Sequence, residues 1–191
     1  IFQLKESQVR SYCRKFPVEF SHAKNSELFS ISGERYIDFL DAAGSMNYGH
    51  NNPFIKKAIL DYLSEDRIIN ALDLFTEAKA VFFHTFEECI LMPRHLSYKI
   101  MCCGPTGANA IEAALKLARK NKKRSNIFAF SGAFHGMSLG ALAMTTDKTS
   151  REGAGVSLEN VTFLPYDNDK FDSLSYIRNI LDDDHSGIPL P

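Results

Sequence analysis

With 191 residues, 45% of them apolar and 12% aromatic, the chain has the composition of an ordered globular protein able to bury a genuine core. Its 22 Lys and Arg balance 23 Asp and Glu, so no basic excess points to nucleic acid or an anionic membrane surface. No apolar run reaches the roughly 18 residues a bilayer span requires.

The first residues, Ile1 to Glu6, carry neither an initiator Met nor a signal-peptide pattern. Cys13, Cys89, Cys102 and Cys103 form no CxxC pair, and the 6 His lack ligand spacing. Reduced thiols in a cytoplasmic protein, with no metal site, are the expectation.

Residues 7–19 read as an irregular N-terminal arm on which Arg10, Tyr12 and Arg14 cluster without helical spacing. A solvated arm is one reading; an arm folded over a pocket, offering Tyr12 to a ligand, is the other. A hairpin follows: Leu28 to Ile31 and Arg35 to Leu40 flank the turn Ser32-Gly33-Glu34. Residues 41–52, including Ala43-Gly44-Ser45, are too long for a tight turn and too apolar for a linker, as in loops that line ligands. Asn52-Pro53 predicts an N-cap and first helical residue, with Phe54, Ile55, Ala58, Ile59 and Tyr62 as an apolar stripe. A second helix is expected over about 74–92, with Phe75, Ala78, Phe82, Phe86 and Ile90 inward and Pro93 after it.

From residue 98 the pattern becomes β-α-β. A strand over 98–103 would set Cys102 and Cys103 on opposite faces; a helix follows over 107–122, then a strand over 126–130. Beyond lie a helix over 137–144, a strand over 161–164 and a helix over 170–181. Strands alternating with helices imply an α/β fold with a mostly parallel sheet and ligands at the strand carboxyl ends. Both glycine turns, Gly104-Pro105-Thr106-Gly107 and Ser131-Gly132-Ala133-Phe134-His135-Gly136, fall at such ends.

A turn opening a helix suits a phosphate. The dinucleotide fingerprint is only loosely echoed by Gly104-x-x-Gly107-x-x-Ala110, and the next strand end, Phe128 to Gly132, lacks the carboxylate that would hold a ribose. A nicotinamide-dependent oxidoreductase is thereby disfavoured. The alternative is a ligand with one phosphate and a flat ring. Gly107 permits close approach, Ala108 and Asn109 can donate first-turn N–H groups, and Phe134 can stack on the ring with His135 beside it. A core role for Phe134 and a merely structural one for His135 remain open.

Three stretches together resemble the fold-type I, class III pyridoxal-phosphate aminotransferases. They are Tyr36-Ile37-Asp38-Phe39 with Asn47-Tyr48-Gly49-His50-Asn51-Asn52-Pro53, the helix Glu112-Ala113-Ala114-Leu115-Lys116-Leu117-Ala118-Arg119, and Phe134-His135-Gly136. The resemblance implies an arm, hairpin and loop over 1–53, followed from 54 to 191 by the first part of the large cofactor domain. It implies that Gly107, Ala108 and Asn109 hold the phosphate of pyridoxal 5'-phosphate, that Phe134 and His135 meet the ring, and that Tyr12, Ala43, Gly44 and Ser45 border the substrate. The arm around Arg10 to Arg14 and the stretch Cys103 to Ala110 are most similar to the members supplying L-2,4-diaminobutyrate to ectoine synthesis. These move the amino group of glutamate to L-aspartate 4-semialdehyde. Other members act on ornithine, acetylornithine or 4-aminobutyrate. The resemblance also implies a homodimer or higher homo-oligomer, and a Schiff-base lysine and ring-pairing carboxylate beyond Pro191. The chain therefore reads as an N-terminal fragment, inactive alone; a short non-catalytic homologue is the alternative. Ala108 stands where relatives commonly carry a hydroxyl, which predicts weaker phosphate binding.

Overall fold

The computed structural model describes residues 1–6 and 16–191, and the chain divides into two compact units, Ile1–Ala71 and Leu72–Pro191. In the first unit, a single helical turn α1 (Phe2–Lys5) and three antiparallel strands precede the loop that was expected to line a ligand. The strands are β1 (Phe20–Lys24), β2 (Glu27–Ser30) and β3 (Arg35–Ile37), in that spatial order. β2 and β3 are the expected hairpin, paired Leu28 to Tyr36, and its turn is closed by the Ser30 N–H donating to Glu34 O at 2.9 Å. β1 was not anticipated. A register shift between Phe20 and His22 breaks its alternation, and pairing with β2 holds it, with His22 stacked on Phe29 at 4.6 Å.

After β3 comes α2 (Asp41–Gly44), one turn in which Asp41, Ala42, Ala43 and Gly44 all have positive φ. Asp38 fixes both ends of this loop. Its Oδ1 accepts from the Leu40 and Asp41 N–H groups at 2.9 and 3.0 Å, and its Oδ2 lies 2.7 Å from His50 Nε2. His50 in turn exchanges two 2.8 Å backbone bonds with Asn25. α3 (Pro53–Ser64) begins as expected: the Asn52 side chain accepts from the Phe54 N–H at 3.0 Å. Among the described residues its apolar stripe is left largely uncovered, however, and Phe54 is 84% exposed.

In the second unit, α4 (Glu77–Phe86) is capped by Thr76 and passes into a π-helical turn (Glu87–Leu91) and a 3-10 turn (Met92–Arg94). The single helix expected over 74–92 is thus shorter, and Phe75, Ala78, Phe82 and Ile90, expected inward, are exposed; Phe86 is half-buried and Leu91 is the buried residue there. α5 (Gly107–Lys122) matches the expected span. β4 (Ile127–Phe130), α6 (Leu139–Met144), α7 (Lys148–Glu152), β5 (Val161–Leu164) and α8 (Ser173–Asp182) follow. β4 and β5 pair in parallel, Ile127 to Val161 through Phe130 to Leu164.

The core is the apolar face of α5 against this sheet: Leu115, Ala129 and Met144, with Ile111, Ile127, Val161 and Phe163 packed on it. Each large side chain so buried contributes about 2 kcal/mol. A further expectation fails. Residues 98–103 form no strand, because among the described residues no neighbouring strand takes up their N–H and C=O groups. Cys102 and Cys103 are therefore not set on opposite faces of a sheet strand, and the Cys103 thiol donates locally to Met101 O at 3.3 Å.

Candidate functional site

α5 starts abruptly because Thr106 and Asn109 close a capping box. Asn109 Oδ1 accepts from the Thr106 N–H at 3.2 Å, and Thr106 Oγ1 accepts from the Asn109 N–H at 3.4 Å. Asn109 thus spends its N–H and its carbonyl oxygen on the cap, and keeps its amide nitrogen to offer a ligand. The first-turn N–H groups of Gly107 and Ala108 have no acceptor among the described residues, and beyond the adjoining residues and the helix's own backbone nothing lies within 4 Å of where a Gly107 Cβ would stand. Two free donors, the positive end of a 16-residue helix and open space in front make an anion cradle.

The Phe134–Gly136 turn lies against this cradle. At Gly136, with φ +131°, a Cβ would stand 2.7 Å from Ala108 Cβ and 3.3 Å from Ala141 Cβ, so only glycine lets the turn approach α5 so closely. Phe134, two residues before Gly136, is 61% exposed and is not a core residue; His135 is half-buried. The turn is held from behind by two threonines. Buried Thr145 accepts from the His135 N–H at 2.9 Å and donates to Gly136 O at 3.0 Å. Thr146 Oγ1 accepts from the Gly132 N–H at 3.0 Å, and its own N–H donates to Ala133 O at 3.1 Å.

α6 carries those threonines at its end and is braced by charge at both termini. Glu112 on α5 accepts from the Ser138 hydroxyl and the Ala141 N–H. Partial burial pushes the Glu112 carboxyl upward, but the bonds from Ala141, Ser138 and Gly140 outweigh it and hold it below the usual carboxylate range. At the other end Arg151 donates to the carbonyls of Leu142, Ala143 and Thr145 at 2.8–3.1 Å and lies over the Phe163 ring. Acid at the N-terminus and base at the C-terminus complement the helix dipole. Residue types and local spacing do not disclose Thr145, Thr146, Arg151 or the bracing role of Glu112. The four-residue spacing shared by Ala108 and Glu112 and by Gly136 and Gly140 becomes a signal only once the two segments are set side by side.

The structure thus brings Gly107, Ala108, Asn109, Phe134 and His135 together in the second unit. Ala43, Gly44 and Ser45 belong to the first, where Ser45 lines an open groove of about 470 Å³ with Met46, Tyr48, Asn52, Ile55 and Ile59. Tyr12 lies outside the described residues. No group of three or more metal-ligating side chains occurs among the described residues, and no described helix is long and apolar enough to cross a membrane.

The class-III aminotransferase profile matches residues 9–182. The chain belongs to that family. Curated relatives include the diaminobutyrate–2-oxoglutarate transaminases of Halalkalibacterium halodurans, 46% identical over 194 aligned residues, and of Bordetella parapertussis, 49% identical. Each alignment covers 100% of this chain and 45% of the relative, so the chain spans less than half the length of these class-III relatives. Among solved structures, an S-selective transaminase from Arthrobacter sp. with alanine bound superposes with a TM-score of 0.76 at 22% identity, over 94% of this chain and 43% of that one. A taurine:2-oxoglutarate aminotransferase from Bifidobacterium kashiwanohense, in complex with PLP and glutamate, gives 0.67 at 22% identity, over 79% and 33%. The likeness to these solved structures is one of α/β fold.

Proposed function

We propose that the intact protein is a pyridoxal-phosphate-dependent aminotransferase that moves the amino group of glutamate to L-aspartate 4-semialdehyde, yielding L-2,4-diaminobutyrate and 2-oxoglutarate. The observation that carries the cofactor half of this reading is the packing of Gly136 on Ala108, which supports it by bringing the turn that carries exposed Phe134 up to the helix start with its two unpartnered N–H groups. The names of the relatives, at 46–49% identity over the whole chain, support the substrate half and disfavour ornithine, acetylornithine or 4-aminobutyrate as the substrate.

The residues present suit such a cofactor. Gly107 and Ala108 would donate backbone N–H groups to its phosphate, helped by the α5 dipole, with the Asn109 amide nearby. Phe134 would stack on its ring and His135 would border it. Bound there, pyridoxal phosphate supplies an electron-withdrawing ring that stabilises negative charge at the substrate α-carbon. Thr145 and Thr146 keep Phe134 and His135 in place, so little ordering remains to be done on binding. Tyr12 and the Ala43-Gly44-Ser45 loop would border the substrate. The arm, hairpin and loop over 1–53 would serve the small domain, and 54–191 would begin the cofactor domain. The same reading makes the protein cytoplasmic, a supplier of ectoine synthesis, and a homodimer or larger. The uncovered apolar side chains of α3 support such an assembly.

Full-length protein mixed with pyridoxal phosphate should gain a visible absorbance band, and should release 2-oxoglutarate from glutamate beyond one equivalent per site only when aspartate semialdehyde is present. No band, or no semialdehyde-dependent release, would sink the proposal.

A further inference from the structure

Glu112 makes no contact that the reading above assigns to phosphate, ring or substrate, yet its carboxylate ties two elements together. Oε1 accepts from Ser138 Oγ at 2.8 Å and from the Ala141 N–H at 3.0 Å. Ser138 precedes α6 but its own side chain makes no capping bond to that helix, so Glu112 reaches across from α5 to supply the missing acceptor. Gly140 leaves room for it: a Cβ there would collide with the carboxylate, standing 2.9 Å from Cδ. The contacts Ala108–Gly136 and Glu112–Gly140 are each four residues apart along their own segment, so one turn of α5 is in continuous contact with the Phe134 turn and the start of α6.

We propose that Glu112 is a positioning residue for the cofactor: by anchoring the first turn of α6 to α5, it fixes the Phe134–His135 turn relative to the free N–H groups of Gly107 and Ala108. It thereby sets the spacing between the ring-facing and phosphate-facing halves of the site. The inference rests on the pyridoxal phosphate reading above.

The test uses full-length apoprotein carrying Glu112→Ala, Glu112→Gln or Gly140→Ala, titrated by calorimetry with pyridoxal 5'-phosphate and separately with inorganic phosphate. Glu112→Ala should weaken pyridoxal phosphate about tenfold, as expected for losing a charge-assisted bond, and alter the induced circular dichroism of the bound ring. It should leave inorganic phosphate within about twofold, because the cradle lies on α5 itself. Glu112→Gln keeps an Oε1 acceptor and should restore the affinity to within about threefold. Gly140→Ala, which displaces the carboxylate without removing it, should resemble Glu112→Ala and carries the same test if that variant does not fold. Pyridoxal phosphate affinities equal to wild type in both, or equal weakening of phosphate and pyridoxal phosphate, would overturn the role of Glu112 alone. Wild-type protein that binds no pyridoxal phosphate would overturn the cofactor reading and this inference with it.

Discussion

Thr145 offers the sharpest separation between filling space and holding the ring-facing turn. It is fully buried, and its hydroxyl accepts from the His135 N–H and donates to Gly136 O. Thr145→Val keeps the volume and removes the hydroxyl, leaving those two groups without their partner. Fully buried, each would cost about 1–3 kcal/mol; both residues are half-buried, so water recovers part and about 2 kcal/mol in total is expected. Ala141 O does not add to the loss, since it keeps the Thr145 N–H at 3.1 Å. Thr145→Ser keeps both bonds and removes one methyl, worth about 1 kcal/mol including the small void. Urea unfolding of full-length apoprotein should therefore rank wild type above Ser above Val, at unchanged m-value. Pyridoxal phosphate binding should be impaired in Val and close to wild type in Ser. If Ser proves costlier than Val, or if Val leaves both midpoint and binding unchanged, packing rather than hydrogen bonding holds the turn and the reasoning fails.

Gly107→Pro should be tolerated by the fold, because α5 accepts proline at its first position and Thr106, at φ −124° and ψ 156°, already has the extended backbone a following proline demands. It removes one phosphate donor, so cofactor affinity should fall about tenfold in equilibrium dialysis while the apoprotein melts within about 2 °C of wild type. Arg151→Met should cost about 2 kcal/mol by chemical denaturation through loss of three carbonyl contacts at the end of α6, and Arg151→Lys should recover only part of it. The bond from His50, then those from the Asp41 and Leu40 N–H groups, hold the Asp38 carboxyl below its ordinary value. Its stabilisation is therefore complete above the unfolded value of about 4 and is lost as pH falls through the lower folded value. Asp38→Asn should flatten the acid limb of the stability–pH curve below about pH 4; an unaltered limb would contradict the pairing.

α5 was legible to the residue because its signals are local: a threonine cap, an asparagine three residues on, and a spaced apolar face ending at Lys122. The hairpin and the start of α3 were legible for the same reason, a short turn with glycine and an Asn-Pro cap. Residues 98–103 were misjudged because an apolar run is only a candidate for a strand until a neighbour pairs with it. β1 was missed because Phe20 to Lys24 lacks clean alternation and depends on β2. At the site, residue types pointed to Gly107, Ala108 and Phe134, whereas the Thr145, Arg151 and Glu112 contacts join groups 6 to 29 residues apart that no local pattern links.

The α2 turn has a consequence for anyone remodelling the loop that would border the substrate. Its residues coil in the opposite sense to an ordinary helix, which costs an L-residue with a Cβ about 1–2 kcal/mol. Side-chain preference there is consequently inverted. Alanine, the best helix former, is strained at 42 and 43; glycine, asparagine and aspartate are the substitutions the backbone welcomes, and valine, isoleucine and threonine are those it rejects. Variation in the loop at this point is thus confined to a small, mostly polar alphabet, and a D-amino acid introduced by chemical ligation at Ala42 or Ala43 would tighten the loop where its mirror image would loosen it.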